Sequence, residues 1–221
     1  MSKIITLKLG FANAFLIRDR GTILVDTGFN VSKEKYIRLF RELEIDSKEI
    51  DLIIISHGHA DHFAHAHELK EMTGAPILCH KIAVHALQTA QNAAIIPRNA
   101  LGERVLKMIK TNLPMASKSV QPDLVMDSTF DLNQYGVSGK AIYTPGHTDC
   151  SISVILDSGD AIVGDILVPS PFTGELCMAY FAYNEELLLE SVKTLLGHSH
   201  IFYGSHGGPF TREEVLKLIL E

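Results

Sequence analysis

No stretch of this chain is apolar over anything near the roughly 20 residues that a membrane-spanning helix needs, so no transmembrane segment and no membrane partner are expected. The first residues, Met1-Ser-Lys-Ile-Ile-Thr-Leu-Lys, lack the apolar centre of a secretory leader, which makes a cytoplasmic address the expectation. Basic runs are missing too, and a net charge of -6 argues against nucleic acid as the main partner. Cysteine is scarce. Cys79, Cys150 and Cys177 are an odd number without a Cys-x-x-Cys pair, which fits reduced thiols better than a disulfide framework. Linkers, low-complexity tracts and short-period repeats are absent. What remains is an ordinary globular composition, 46% apolar and 21% charged over 221 residues, enough for one large domain with a buried core. A small molecule is the expected partner, with homo-oligomerisation left open.

Against that plain background one stretch stands out: Ile55-Ser56-His57-Gly58-His59-Ala60-Asp61-His62 places three imidazoles and a carboxylate in six residues. The preceding Asp51-Leu-Ile-Ile-Ile-Ser56 reads as a buried strand, and the histidines begin where it stops. Alternate residues of extended chain share a face, so His57 and His59 can point at one ion. Asp61 and His62 lie across a turn, where they can face a second ion. Imidazole and carboxylate suit zinc, iron or manganese. A polar turn with solvated histidines is the bland alternative, and the ligand density argues against it.

Along the chain, strands are expected over residues 4–9, 14–17 and 22–25, the third running into Asp26-Thr-Gly28. Asp26 either closes a turn or hydrogen-bonds a metal-bound imidazole; with a metal cluster elsewhere in the chain the second reading is preferred. Ser32 to Leu43 has the cap and spacing of an amphipathic helix, and another helix is expected over Phe63 to Met72. His65 and His67 on it point in different directions and are read as non-ligands, as is His85. Residues from about 80 to 123 read as a helical insertion between two strand-rich halves. Helices are expected there over 80–91 and 101–110 with an irregular Leu113-Pro-Met-Ala-Ser-Lys118 after them, the whole serving as a cap or packing surface. The second half repeats one device: apolar strands end at Pro145-Gly-His147, at Gly164-Asp165 and at Gly204-Ser-His206. Helices over 185–196 and 212–220 close the chain, the second with Thr211 and Glu214 in capping-box position.

The motifs His57-Gly-His-Ala-Asp-His62, Pro145-Gly-His-Thr148, Gly164-Asp165 and Gly204-Ser-His-Gly-Gly-Pro209, with Leu24-Val-Asp-Thr-Gly28 upstream, resemble the metallo-β-lactamase superfamily in kind and order. The resemblance covers nearly the whole chain. It implies an α/β fold, a four-layer αβ/βα sandwich with the metals at one edge. It also implies His57, His59 and His147 on a first ion, Asp61, His62 and His206 on a second, and Asp165 bridging both. Antibiotic-hydrolysing members lack the bridging Asp, so Asp165 points to the broader hydrolase group. No subfamily is assigned.

Two divalent ions, zinc preferred and iron or manganese as alternatives, would hold a bridging hydroxide for attack on a carbonyl or phosphoryl centre. Asp61 would orient that nucleophile and carry a proton to the leaving group. The expectation is a binuclear hydrolase of a small ester, lactone, thioester or related acyl substrate. A mononuclear iron persulfide dioxygenase and a non-catalytic binding protein on the same fold are the alternatives. The segment 169–181 is apolar and aromatic for a loop, so Phe172, Met178, Tyr180 and Phe181 are candidate pocket residues, with plain core packing nearly as good an account.

Overall fold

A computed structural model describes residues 2–109, 115–116 and 118–220. Leu113, Pro114 and Ser117 of the expected irregular stretch, and Lys110 at the end of an expected helix, lie outside the described residues. The chain forms two six-stranded sheets. The first takes β1 (Lys3–Leu9), β2 (Ala12–Arg18), β3 (Thr22–Val25), β4 (Leu52–Ile54), β5 (Ile77–His80) and β6 (Leu124–Met126) in sequence order. Its first three strands are antiparallel and the rest parallel. The second sheet uses β7 (Thr129–Asp131), β8 (Gly139–Tyr143), β9 (Ile152–Leu156), β10 (Asp160–Gly164), β13 (Ile201–Gly204) and β14 (Gly207–Thr211), in the order β14-β13-β10-β9-β8-β7.

Strand alternation explains how the sheets stack. In β4, Leu52 and Ile54 enter one apolar cluster and Ile53 another, and all three are buried. A strand apolar on both faces must be covered on both. The cluster holding Leu52 and Ile54 also takes Phe15, Ile23, Val154 and Ile162, so it lies between the two sheets. Ile53 and Leu24 pack on Tyr36 and Phe40 of α1 (Lys33–Glu42) and Leu69 of α3 (Ala66–Thr73). On the far side, Ile155, Val163 and Phe202 meet Leu188, Val192 and Leu195 of α6 (Glu185–His198) and Val215 of α7 (Arg212–Leu220). Helix, sheet, sheet and helix thus make four layers around three apolar seams, the sandwich the motifs imply.

Local signals account for the helix ends. Ser32 caps α1, accepting from the Lys35 amide, and Asn184 caps α6 through the Leu187 amide. Thr211 and Glu214 form the expected reciprocal box, the Thr211 amide donating to Glu214 Oε2 at 2.7 Å and the Glu214 amide to Thr211 Oγ1 at 3.3 Å.

Several expectations need correction. The single helix expected over 63–72 is two, α2 (Ala60–Phe63) and α3, because Thr27 interrupts the ladder between them. Its amide and hydroxyl both donate to the His62 carbonyl, and its Oγ1 accepts from the His65 amide at 3.2 Å. Leu124 does not restart a second half. Strand β6 pairs parallel with β5, so residues 81–123 are a crossover within the first sheet. The helix expected from His80 shrinks to a 3-10 turn and α4 (Val84–Thr89), since His80 ends β5 and its side chain accepts from the Ile82 amide. The second insertion helix, α5, runs Ala100–Ile109. The segment read as a loop carries β11 (Leu167–Pro169) paired with β12 (Leu176–Met178). Among the described residues no helix is long and apolar enough to cross a membrane.

Candidate metal centre

The ends of β3, β4, β8, β10 and β13 come together at one edge of the stacked sheets, and each delivers a polar side chain there. After β8, Gly146 makes the approach feasible: its φ is 138°, and a Cβ would lie 2.3 Å from the Leu188 amide nitrogen of α6. The next residue, His147, can then reach the histidines after β4.

Three ring nitrogens converge there, His57 Nε2, His59 Nδ1 and His147 Nε2, separated by 3.1–3.2 Å. Their other nitrogens are engaged outward. His147 Nδ1 donates to the Phe181 carbonyl at 2.9 Å, and His59 Nε2 faces the Ala94 carbonyl at 3.4 Å. His57 Nδ1 lies 3.0 Å from Ser56 Oγ, whose own proton goes to Asp26 Oδ2 at 2.7 Å. Each outward proton leaves the inward nitrogen as a bare lone pair. Burial pushes the basicity of all three rings down, His59 to about 3, so protons do not fill the gap. Three lone pairs aimed at one point repel unless a cation sits between them. Three nitrogens at zinc bonding distance, about 2.0–2.1 Å on tetrahedral corners, would stand about 3.3 Å apart.

A second cluster adjoins the first. His206 Nε2 lies 3.1 Å from Asp165 Oδ2 and 3.4 Å from Asp61 Oδ2, while its Nδ1 donates to the Phe11 carbonyl at 3.1 Å. His62 gives its Nδ1 proton to Asp26 Oδ2 at 2.8 Å. Its Nε2, 3.4 Å from Asp165 Oδ1, is buried without a hydrogen-bond partner, and so is that oxygen. A cation would satisfy both orphans. Burial alone would lower His62 and His206, but the carboxylates outweigh it: His62 is raised well above its ordinary value, chiefly by Asp165 and Asp61, and His206 to about 10, chiefly by Asp165. The carboxyls answer in kind. Burial raises Asp61 and Asp165, yet the neighbouring imidazoles hold both below the usual carboxylate range. Ligand atoms of His57, His59, His147 and Asp165 lie within 4.8 Å of one another, and so do those of Asp61, His62, Asp165 and His206. Asp165 is common to both groups. All seven residues singled out in the sequence therefore meet at one place.

Asp26 sits beneath them at φ 62°, a left-handed conformation that Asp tolerates better than most residues. The turn aims its carboxylate at three donors: the Ser56 amide, the Ser56 hydroxyl and His62 Nδ1. Ser56 escaped the sequence reading, although a serine ending an otherwise apolar buried strand is a visible signal. The carbonyls of Phe11, Ala94 and Phe181 escaped it as well, and backbone acceptors leave no mark in a sequence.

The four candidate pocket residues separate. Tyr180 and Phe181 line the cavity over the clusters. Phe172 and Met178 do not belong to its wall: Phe172 is 57% exposed at the tip of the β11–β12 hairpin, and Met178 packs toward the apolar seam under α6. The wall is completed by insertion residues that were not named, among them Ile95, Val105 and Met108. The apolar spacing of Leu101, Val105 and Met108 along one helix was the available clue. His65, His67 and His85 stay outside both clusters, His65 being held by Glu68 and the Val31 amide.

Known proteins resemble this chain in sequence and in fold. Over 161 residues, 71% of this chain and 67% of the relative, the sequence is 29% identical to a probable metallo-hydrolase of Methanocaldococcus jannaschii. The fold is similar to that of the BLEG-1 B3 metallo-beta-lactamase, with a TM-score of 0.72 at 17% identity over 98% of this chain and 97% of that one. It is also similar to TTHA1623 in a di-iron-bound form, with a TM-score of 0.69 at 20% identity over 98% of each chain. The sequence model described as the metallo-beta-lactamase superfamily matches residues 7–200. The chain therefore belongs to the metallo-beta-lactamase superfamily.

Proposed function

We propose that this protein is a hydrolase that uses two divalent cations to cleave a small ester, lactone, thioester or related acyl substrate. The observation that carries the reading is the triangle of bare imidazole nitrogens beside a second cluster with two orphaned buried atoms. The relative described as a probable metallo-hydrolase supports hydrolysis, and the di-iron form of a structural neighbour supports a pair of ions. The donor set suits zinc, with iron or manganese as alternatives.

Bound cations would polarise the substrate oxygen and lower the pKa of a water to about 7. The chain supplies the rest. Asp61 lines the cavity beside the second cluster, so its carboxylate can take the proton of the attacking water and return it to the departing oxygen or sulfur. Asp26 and Ser56 hold the rings of His57 and His62 in one tautomer. The water oxygen bonds to the acyl carbon as the acyl–oxygen or acyl–sulfur bond breaks, and the departing atom keeps that electron pair and accepts the water's proton.

Elemental analysis of purified protein, followed by an acyl-substrate panel, tests this. Two ions per chain with turnover support the reading. One iron with oxygen uptake on a persulfide replaces it with a dioxygenase. Full metal loading with no turnover on ester, thioester, lactone or phosphodiester substrates leaves a binding protein.

A further inference from the structure

A cavity of about 380 Å³ opens from the edge of the cation clusters. That volume is near the lower end of small-molecule pockets, which run from about 300 to 1,000 Å³. Its walls are aliphatic and aromatic: Ile95 with Val105, Met108 and Ile109 of α5 on one side, Val168 of β11 and Phe181 on the other. Among the described residues that line it there is no Lys or Arg, and the His and Asp residues, His59, Asp61, His147, Asp165 and His206, all belong to the clusters. Each neutral polar side chain there already has a partner in the fold. Asn92 Oδ1 accepts from the Ala60 amide at 2.7 Å, the Tyr180 hydroxyl donates to the Pro169 carbonyl, and Ser170 Oγ accepts from the amides of Phe172 and Thr173.

The α5 wall is docked rather than loosely draped. Asn99 Oδ1 accepts from the amides of Leu101 and Gly102 at the start of the helix, and the Arg98 amide donates to the Tyr180 carbonyl at 2.9 Å. At Gly102 the helix touches that same carbonyl: a Cβ there would lie 2.2 Å from the Tyr180 oxygen. The apolar face of α5 is thereby fixed against the opening, and the pocket does not have to be ordered by its ligand.

A charged substituent entering this cavity would lose its hydration and, among the described lining residues, meet no counter-charge beyond the clusters. A saturated chain would meet neither penalty. We infer that the cavity binds the uncharged hydrocarbon chain of the acyl substrate, with the carbonyl at the clusters and the chain running along α5 toward Met108 and Phe11 at the mouth. Both mouth residues are exposed, Met108 at 61% and Phe11 at 53%, as expected where a chain leaves for solvent. The inference rests on the hydrolase reading for the bond that is cleaved, but the chain site itself does not depend on it.

The test uses metal-loaded protein and p-nitrophenyl esters from acetate to octanoate, alongside esters of the same length ending in a carboxylate. Each buried methylene is worth about 0.8 kcal/mol, so kcat/KM is expected to rise roughly fourfold per methylene until the cavity is full. A terminal carboxylate should lower it at least about tenfold. Met108→Ser, at an exposed position where folding is not at stake, should cut the octanoate value by about three- to tenfold and the acetate value by less. In parallel, calorimetry with N-methyl alkanamides of increasing length measures chain binding without any cleavage. A series that is flat or falls with length, or a preference for the carboxylate-ended esters, overturns the inference and leaves the hydrolase reading intact. If no ester is cleaved, the thioesters, lactones and phosphodiesters of the wider panel judge the hydrolase reading, and the amides decide the chain site: affinity rising with length keeps it, and affinity independent of length removes it.

Discussion

Oδ2 of Asp26 lies 2.8 Å from Nδ1 of His62, and the same carboxylate receives the amide and the hydroxyl of Ser56 at 2.7 Å each. This one buried group fixes which nitrogen of His62 faces the second cluster and, through Ser56, which nitrogen of His57 is bare. Asp26→Asn presents an amide donor where two donors must be accepted, so it should weaken cation binding by about 10–100-fold. Competition with a chromogenic chelator measures this, and an unchanged affinity would show that the tautomers are set elsewhere.

Asp61 occupies the cavity wall as well as the second cluster. Asp61→Asn should lower kcat by about 10²–10⁴-fold while the far-ultraviolet circular dichroism spectrum stays the same. Near-wild-type turnover in that variant refutes the proton-carrying role.

The two clusters should differ in how many protons they give up. Burial keeps His57, His59 and His147 neutral near pH 7, whereas Asp165 and Asp61 keep protons on His62 and, up to about 10, on His206 when no cation is present. An ion entering the first cluster displaces no imidazole proton above about pH 6.5, and an ion entering the second displaces up to two. Affinity for the second ion should therefore climb between about pH 6.5 and 10, by roughly tenfold per pH unit for each proton released, while affinity for the first stays level. Calorimetry in buffers of different protonation enthalpy counts these protons directly. Equal release in both steps contradicts the assignment.

Removing the cations should also loosen the fold. A ligand at about a thousandfold excess over its Kd stabilises by about 4 kcal/mol, and for a chain of this size each kcal/mol moves Tm by about 2–4 °C. Chelation should then lower Tm by about 8–16 °C in a thermal melt. A shift below about 2 °C would mean that the ions are held weakly or not at all.

Gly146→Ala tests the approach of β8 to α6. At φ 138°, with Leu188 backbone atoms 2.3 Å from the new methyl, the loop must move and take His147 with it. The expected cost is at least about 2 kcal/mol of stability, read by denaturant titration, together with weaker binding of the first ion.

Much of this was legible in the sequence because it rests on strand ends. Apolar runs such as Leu52 to Ile54 announce strands buried on both faces, and the chemistry-bearing residues just past β3, β4, β8, β10 and β13 mark the common edge where the clusters form. What stayed hidden depends on distant partners. The break at Ala64–His65 needs Thr27, which lies 38 residues before His65, and nothing in the local spacing reports it. The place of β6 depends on pairing with β5 across more than 40 residues, where loop length alone fits either sheet. The pocket was misjudged at Phe172 and Met178 because apolar composition does not tell a hairpin tip from a cavity wall. The carbonyls that orient the histidines are chemically the same at every residue.

The crossover between β5 and β6 carries both the α5 wall and three anchors of the histidine turn. Asn92 receives the Ala60 amide, the Ala93 amide donates to the Gly58 carbonyl at 2.7 Å, and the Ala94 carbonyl faces His59. Swinging the helix outward as a body would tug on the very loop that presents the imidazoles. Traffic in and out is thus steered toward rotamer changes at the rim, and altering what fits inside by redesigning this connection would carry a toll in how firmly the ions are kept.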